Sequence, residues 1–207
     1  MTSAPVIGIL GGIGSGKSSV VREIQDLNLA IIDADVVGHE VLKSQDVIAR
    51  LTKALGTGIL KNGAIDRRSL GEMVFGENSG SQSNLQKLNA IVHPEIRKRL
   101  HKEIESAKNT ADAVILDASL LLEGNWDQHC DHLIFVDTNA QIRQARVQEN
   151  RGWDAEELPK REKTQVPIAV KRQRADFTVD NSGVLEQSSR QMRNILERIL
   201  TQSLSQN

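Results

Sequence analysis

Val6-Ile7-Gly8-Ile9-Leu10-Gly11-Gly12-Ile13-Gly14-Ser15-Gly16-Lys17-Ser18 decides how the rest of the chain is read. Its first five residues form an apolar run that stops at glycine, as a buried parallel strand does on leaving its sheet. Gly11 to Ser18 then satisfies G-x-x-x-x-G-K-[ST]. Beyond it Val20, Val21, Ile24 and Leu27 recur at helical spacing, with Arg22, Glu23 and Asp26 on the other face. A glycine-rich loop between a strand and a helix is a phosphate cradle: its backbone amides converge on a polyphosphate, and a lysine adds a point charge at the outer phosphates. The pattern predicts Gly12, Ile13, Gly14, Ser15, Gly16, Lys17, Ser18 and Ser19 as nucleotide-binding residues, with Lys17 also catalytic and Ser18 the magnesium ligand. ATP and Mg2+ are therefore the expected cofactors.

Working outward, further apolar runs stand at Leu29 to Ile32, Ala113 to Leu116, Leu133 to Val136 and Phe177 to Val179. Strands alternating with helical patterns predict an α/β fold: a P-loop NTPase three-layer architecture with a five-stranded parallel sheet, its ligands beyond the carboxyl ends of the strands. About eighty residues separate the second and third strands, too many for a crossover and helical in pattern throughout. They predict an inserted substrate subdomain at about 36–110, carried on a single domain of 207 residues with a lid at about 140–174. Within the insertion Leu85, Leu88, Ile91 and Val92 form one stripe, and Pro94 is placed to open a second helix bearing Ile96, Leu100 and Ile104. Thr138-Asn139-Ala140-Gln141 reads as a capping box with the threonine as cap. Leu185, Met192, Ile195, Leu196, Ile199 and Leu200 mark a final amphipathic helix.

Composition narrows the class. A formal charge of -1 gives no argument for wholesale attraction to nucleic acid or anionic lipid. The single cysteine, Cys130, excludes an intramolecular disulfide and a cysteine-rich zinc site. No apolar run is long enough for a signal peptide or a membrane span, so a cytoplasmic protein without membrane or nucleic-acid partners is expected, as a monomer or weak homo-oligomer.

A P-loop alone does not separate kinases from GTPases or motors, but no N-K-x-D guanine-reading motif occurs and the chain is short for a motor. A kinase needs an acceptor site and a group to take or orient the acceptor proton. Asp33, at the carboxyl end of the second strand, is the first candidate for that base. Asp35 either assists it, binds magnesium through water, or caps the following helix. Asp117 ends the third strand where a carboxylate would reach magnesium, and His93 either approaches a substrate phosphate or caps the helix after it. From Arg143 to Arg174 nine Lys or Arg residues stand against five acidic ones, a net of +4. Such a run is either a solvated face or a lid whose arginines stabilise the transferring phosphoryl group. Arg143, Arg146, Arg151, Lys171 and Arg172 are its candidates, Arg143 as a catalytic group and Arg146 as a nucleotide contact, while Trp153 and Pro159 are expected to brace the segment.

The P-loop, Asp33-Ala34-Asp35, His93-Pro94, Leu120-Leu121-Leu122-Glu123, and Ala175-Asp176 through Asp180-Asn181-Ser182-Gly183 stand in this order along nearly the whole chain. Together they resemble the dephospho-CoA kinase family. The resemblance implies transfer of the γ-phosphoryl group of ATP to the ribose 3′-hydroxyl of dephospho-CoA, a helical CoA-binding subdomain and a lid. It implies Asp33 as the catalytic aspartate and Asn181 near the nucleotide's base, with Gln165, Lys171 and Arg172 in the lid-end motif. On the substrate side it implies Asp33, Asp35, His39, His93, Asp117, Leu120, Gln165, Lys171 and Arg172. Three positions depart from the pattern: Ser119 stands where proline is usual, Ser19 where threonine is common, and His39 where arginine is frequent. Glu123-Gly124-Asn125-Trp126-Asp127 has no functional reading. Two rivals remain at this point: a nucleoside or nucleotide kinase, which the size of the insertion disfavours, and a module that retains ATP without phosphorylating anything, which Lys17, Ser18 and Asp33 disfavour.

Overall fold

The computed structural model describes residues 3–76 and 80–205. Its strands are β1 (Val6–Gly11), β2 (Leu29–Asp33), β3 (Leu60–Lys61), β4 (Ala64–Ile65), β5 (Ala113–Asp117), β6 (His132–Asp137) and β7 (Phe177–Asp180). Its α-helices are α1 (Lys17–Arg22), α2 (Ala34–Val41), α3 (Gln45–Leu55), α4 (Arg67–Phe75), α5 (Ser81–Ala107), α6 (Ala140–Arg151), α7 (Glu157–Glu162), α8 (Ile168–Arg174) and α9 (Leu185–Ser205). Contacts divide the chain into two compact units, one of residues up to Asp33 and from Glu103, the other Ala34–Lys102.

In the first unit the five predicted strands pair in parallel in the order β2-β5-β1-β6-β7. The chain steps from β1 outward to β2, returns through β5, and crosses over β1 to reach β6. β1 therefore lies beside the point where the winding reverses, and the loop leaving it opens into the crevice at the strands' carboxyl ends. All six residues of β1 are buried, as a central strand covered on both faces requires. On one face Ile7, Ile9, Ala113, Ile115, Ile134, Val136 and Val179 pack with Val20, Val21 and Ile24 and with Met192, Leu196 and Ile199 of α9. Each of the Val, Ile, Leu and Met side chains contributes about 1.5–3 kcal/mol by leaving water. On the other face Gly8 has no room for a side chain, since a Cβ there would stand 2.8 Å from both Cys130 Sγ and Leu133 Cδ2. Burial pushes the Cys130 thiol up to about 12, and its Sγ donates to the Trp126 carbonyl at 3.7 Å, so it stays protonated at neutral pH.

One helix is shorter than its periodicity suggests, and another packs over less of its length. α1 stops at Arg22, and the Ile24 amide closes onto the Val21 carbonyl at 3.1 Å, tightening the last turn before Leu27 is reached. Leu185 opens α9 but is 37% exposed, so the packed stripe starts at Met192.

The second unit departs from the helical reading of the insertion at two places. Leu60–Lys61 and Ala64–Ile65 form an antiparallel hairpin across Asn62-Gly63, which take φ of 54° and 78°. Positive φ at both turn residues is the type I′ geometry that Asn-Gly favours, a local signal the helical periodicity masks. The predicted helical hairpin at Pro94 is instead one continuous helix, α5, with Pro94 inside it. Proline forgoes one ladder bond there; the stripe of Val92, Ile96, Leu100 and Ile104, all buried, runs through it unbroken and holds both halves in register.

Candidate active site

The loop between β1 and α1 is built for backbone contact. Gly14 and Gly16 take φ of 75° and 79°, in the left-handed region open to glycine. A Cβ on Gly14 would stand 2.9 Å from the Arg143 carbonyl oxygen, so the loop lies directly against the backbone of α6. Gly14→Ala is expected to lower the melting temperature and weaken Mg-ATP binding at a cost of about 2 kcal/mol or more, because backbone cannot give way. Gly152→Ala, also at positive φ (65°) but with nothing within 4 Å, isolates the dihedral cost and is expected to be milder in the same melts.

Two carboxylates flank this loop. In the parallel register Asp33 pairs with Asp117, and Ile9 pairs with Asp117 on the other side. Neighbouring strands run about 4.8 Å apart, so both carboxylates emerge at one end of the sheet beside the cradle. Ser18 Oγ donates to Asp117 Oδ2 at 2.5 Å. Asp117 is buried, Asp33 half-buried, and Ser19 exposed on the first turn of α1. A hydroxyl and a carboxylate in contact are hard oxygen donors of the kind magnesium takes beside substrate phosphates, and their number suits a metal that keeps several waters. Among the described residues no group of three or more His, Cys, Asp or Glu forms a denser metal cage.

Behind the loop, three side chains converge on one carbonyl. The Ser15 oxygen accepts from Asn181 Nδ2 at 2.7 Å, Thr138 Oγ1 at 2.9 Å and Arg146 Nη1 at 3.3 Å. Arg146 Nη2 also donates to the Asn181 carbonyl at 3.1 Å. Thr138 is thus not the helix cap predicted from its spacing. Asn139 caps α6 instead, its Oδ1 accepting from the Gln141 amide at 2.8 Å, because the threonine hydroxyl is drawn to the P-loop. Asn181, expected near the base, is only 1% exposed and lies against Gly16, whose Cβ would meet its Nδ2 at 2.6 Å. Arg143 is 6% exposed: Nε donates to the Thr138 carbonyl at 3.3 Å, Nη1 to the Ile13 carbonyl at 3.2 Å, and Nη1 pairs with Glu162.

The basic segment is three short helices. Trp153 braces it as expected, with the Arg151 guanidinium 4.8 Å and the Arg161 guanidinium 4.5 Å from its ring centroid. Lys171 is buried, donating to Gln165 Oε1 at 3.0 Å and pairing with Glu123 at 3.2 Å. Glu123 Oε1 accepts from the Val166 amide at 2.7 Å. Gln165 and Lys171 are thereby brought together around a residue the sequence reading left without a role; its only signal was its place closing the Leu120–Leu122 run. Arg172 goes elsewhere, to Asp137 Oδ2 at 2.6 Å, and Leu120 is 43% exposed.

Asp35, His39 and His93 belong to the second unit. Asp35 and His39 are exposed in the first and last turns of α2, which starts at Ala34. His93 is half-buried within α5 and caps nothing, since no helix begins at Pro94. Burial, aided by the Arg97 charge, holds its pKa below the usual histidine value.

A phosphate cradle at the reversal point of an all-parallel sheet, with a magnesium-type hydroxyl and carboxylate and a second carboxylate beside it, defines a P-loop kinase core. Solved structures share this fold: a Bacteroides thetaiotaomicron shikimate kinase at TM-score 0.53 and 14% identity, covering 93% of this chain and 98% of that one, and a Campylobacter jejuni dephospho-CoA kinase at 0.72 and 21%, covering 95% and 97%. A Thermus thermophilus crystal structure reaches 0.79 at 30% identity, covering 95% and 98%. The family model described as dephospho-CoA kinase matches residues 5–187. Dephospho-CoA kinases of Geobacillus kaustophilus and Latilactobacillus sakei are 37% and 35% identical, over 93% and 95% of this chain and 95% and 96% of theirs. The chain belongs to the dephospho-CoA kinase family, whose reaction is the last step of coenzyme A biosynthesis.

Proposed function

We propose that this chain transfers the γ-phosphoryl group of ATP to the ribose 3′-hydroxyl of dephospho-CoA, with Asp33 as the base that takes the hydroxyl proton. The observation that carries the reading is the contact of Ser18 Oγ with Asp117 Oδ2 at 2.5 Å, in register with Asp33 on the next strand. It supports a reading in which a magnesium ion and the proton acceptor stand side by side at the mouth of the P-loop. The amides of Gly12 to Ser19 hold the phosphates, and Lys17 stabilises charge gathering on the oxygens around the transferred group. Ser18 and Asp117 would hold magnesium, which supplies further charge neutralisation on the phosphates when bound. Asp33 accepts the proton as the 3′-oxygen attacks phosphorus, and the bond to the leaving ADP oxygen breaks.

Asp35, His39, His93, Leu120, Gln165, Lys171 and Arg172 are proposed as substrate-side residues. Among the described residues no helix is long and apolar enough to cross a membrane. We place the enzyme in the cytoplasm, where ATP and magnesium are supplied.

The test is incubation of the protein with Mg-ATP and dephospho-CoA in parallel with nucleosides and nucleotides, followed by mass spectrometry. Coenzyme A with stoichiometric ADP is expected. Phosphorylation of a nucleoside or nucleotide alone would overturn the acceptor assignment, and no phosphorylated product would overturn the kinase reading.

A further inference from the structure

Arg143 reaches across from α6 to the crown of the P-loop. A Cβ on Gly12 would stand 2.8 Å from its Nη1, so the guanidinium packs directly on the loop backbone. The Ile13 carbonyl that accepts from Nη1 shares a planar trans peptide with the Gly14 amide. In such a unit C=O and N–H point in opposite directions, so a donor held on Ile13 O aims the Gly14 N–H away from Arg143. The Ser15 carbonyl and the Gly16 amide stand in the same relation, and there Asn181, Thr138 and Arg146 supply three donors. At the Gly14 peptide the side-chain donor is Arg143, which is shared with the Glu162 carboxylate on α7.

A single guanidinium thus ties together α6, the P-loop and α7. Its orientation depends on Glu162, because a buried guanidinium without its counter-charge turns towards whatever anion or solvent it can reach. We infer that Glu162 is a positioning residue for phosphoryl transfer: by holding Arg143 on the Ile13 carbonyl it couples the placement of α7 to the orientation of the Gly14 amide, and so to nucleotide affinity. The arrangement is preorganisation of a phosphate-binding amide, set before ATP arrives.

The inference rests on ATP being a substrate, and its test reads ATP affinity separately from product formation. Mg-ATP binding is measured by calorimetry on wild type, Glu162→Ala and Glu162→Gln, together with kcat and KM for each substrate. Glu162→Ala is expected to weaken Mg-ATP about tenfold and raise its KM alike, with the KM for dephospho-CoA within about twofold of wild type. Glu162→Gln keeps the shape and an acceptor oxygen but not the charge; it is expected about threefold weaker, and it carries the test should the alanine variant not fold. Arg143→Lys cannot reach both carbonyls and the carboxylate with one ammonium, and Glu162→Gln added to it is expected to deepen its loss no further. Unchanged or tighter Mg-ATP binding in the Glu162 variants, or additive losses in the double variant, overturns the inference. A lowered melting temperature with both KM values intact would make Glu162 structural only and overturn it as well. A wild type that does not bind Mg-ATP in the same titration counts against the kinase reading first.

Discussion

Asp33→Asn is expected to lower the turnover number for coenzyme A formation by about 100- to 10,000-fold, the range that removing a general base covers. The substitution keeps the shape of the side chain and its place at the end of β2, opposite Asp117 in the sheet register. It removes the negative charge and the basicity that let the side chain receive the 3′-hydroxyl proton. The P-loop amides, Lys17 and the Ser18–Asp117 contact are untouched, so Mg-ATP affinity is expected to stay within about twofold of wild type. Steady-state kinetics with calorimetric ATP binding checks both halves. Turnover near wild type would take the base role from Asp33, and a matching loss of ATP affinity would make it a nucleotide-site residue instead.

Lys17→Met is expected to act on both quantities. Methionine retains an unbranched stem of similar length but no ammonium, so the loss is of charge at the outer phosphates. That charge matters most as negative charge shifts on the oxygens around the transferred phosphoryl group, in a half-buried site where solvent screens it poorly. A fall in kcat/KM for ATP of about 1,000-fold is expected, with a smaller fall in ATP binding and little change in dephospho-CoA binding. A drop confined to ATP binding, with turnover at saturation preserved, would show that Lys17 binds ground state and transition state alike.

Asp117 and Thr138 show how differently the site yields to sequence reading. Asp117 ends a run of buried apolar residues, and a polar residue at that point has a readable reason to be there; its contact with Ser18 puts it against the first turn of α1. Thr138 sits in a pattern that fits a helix cap equally well, and only the approach of the Ser15 carbonyl diverts its hydroxyl. Glu162 was legible as one of five acidic residues in a basic segment, but nothing in its spacing from Arg143 foretold a part-buried pair with a side chain nineteen positions away. The Asn62-Gly63 hairpin was present as a local signal and was overridden by the longer helical pattern around it.

By itself the sequence determined the P-loop, the five strands and the carboxylates that end two of them, because each follows from local rules: glycine's freedom at positive φ, the burial of apolar runs, the place where a strand leaves its sheet. Only the tertiary structure decided what the basic segment's side chains do. Arg143, Lys171 and Asn181 are polar groups drawn into buried ground, with Arg146 half-buried, and each must find a partner there. Those partners, Ile13, Ser15, Glu123 and Glu162, are assembled from distant parts of the chain by the packing of helices on the sheet.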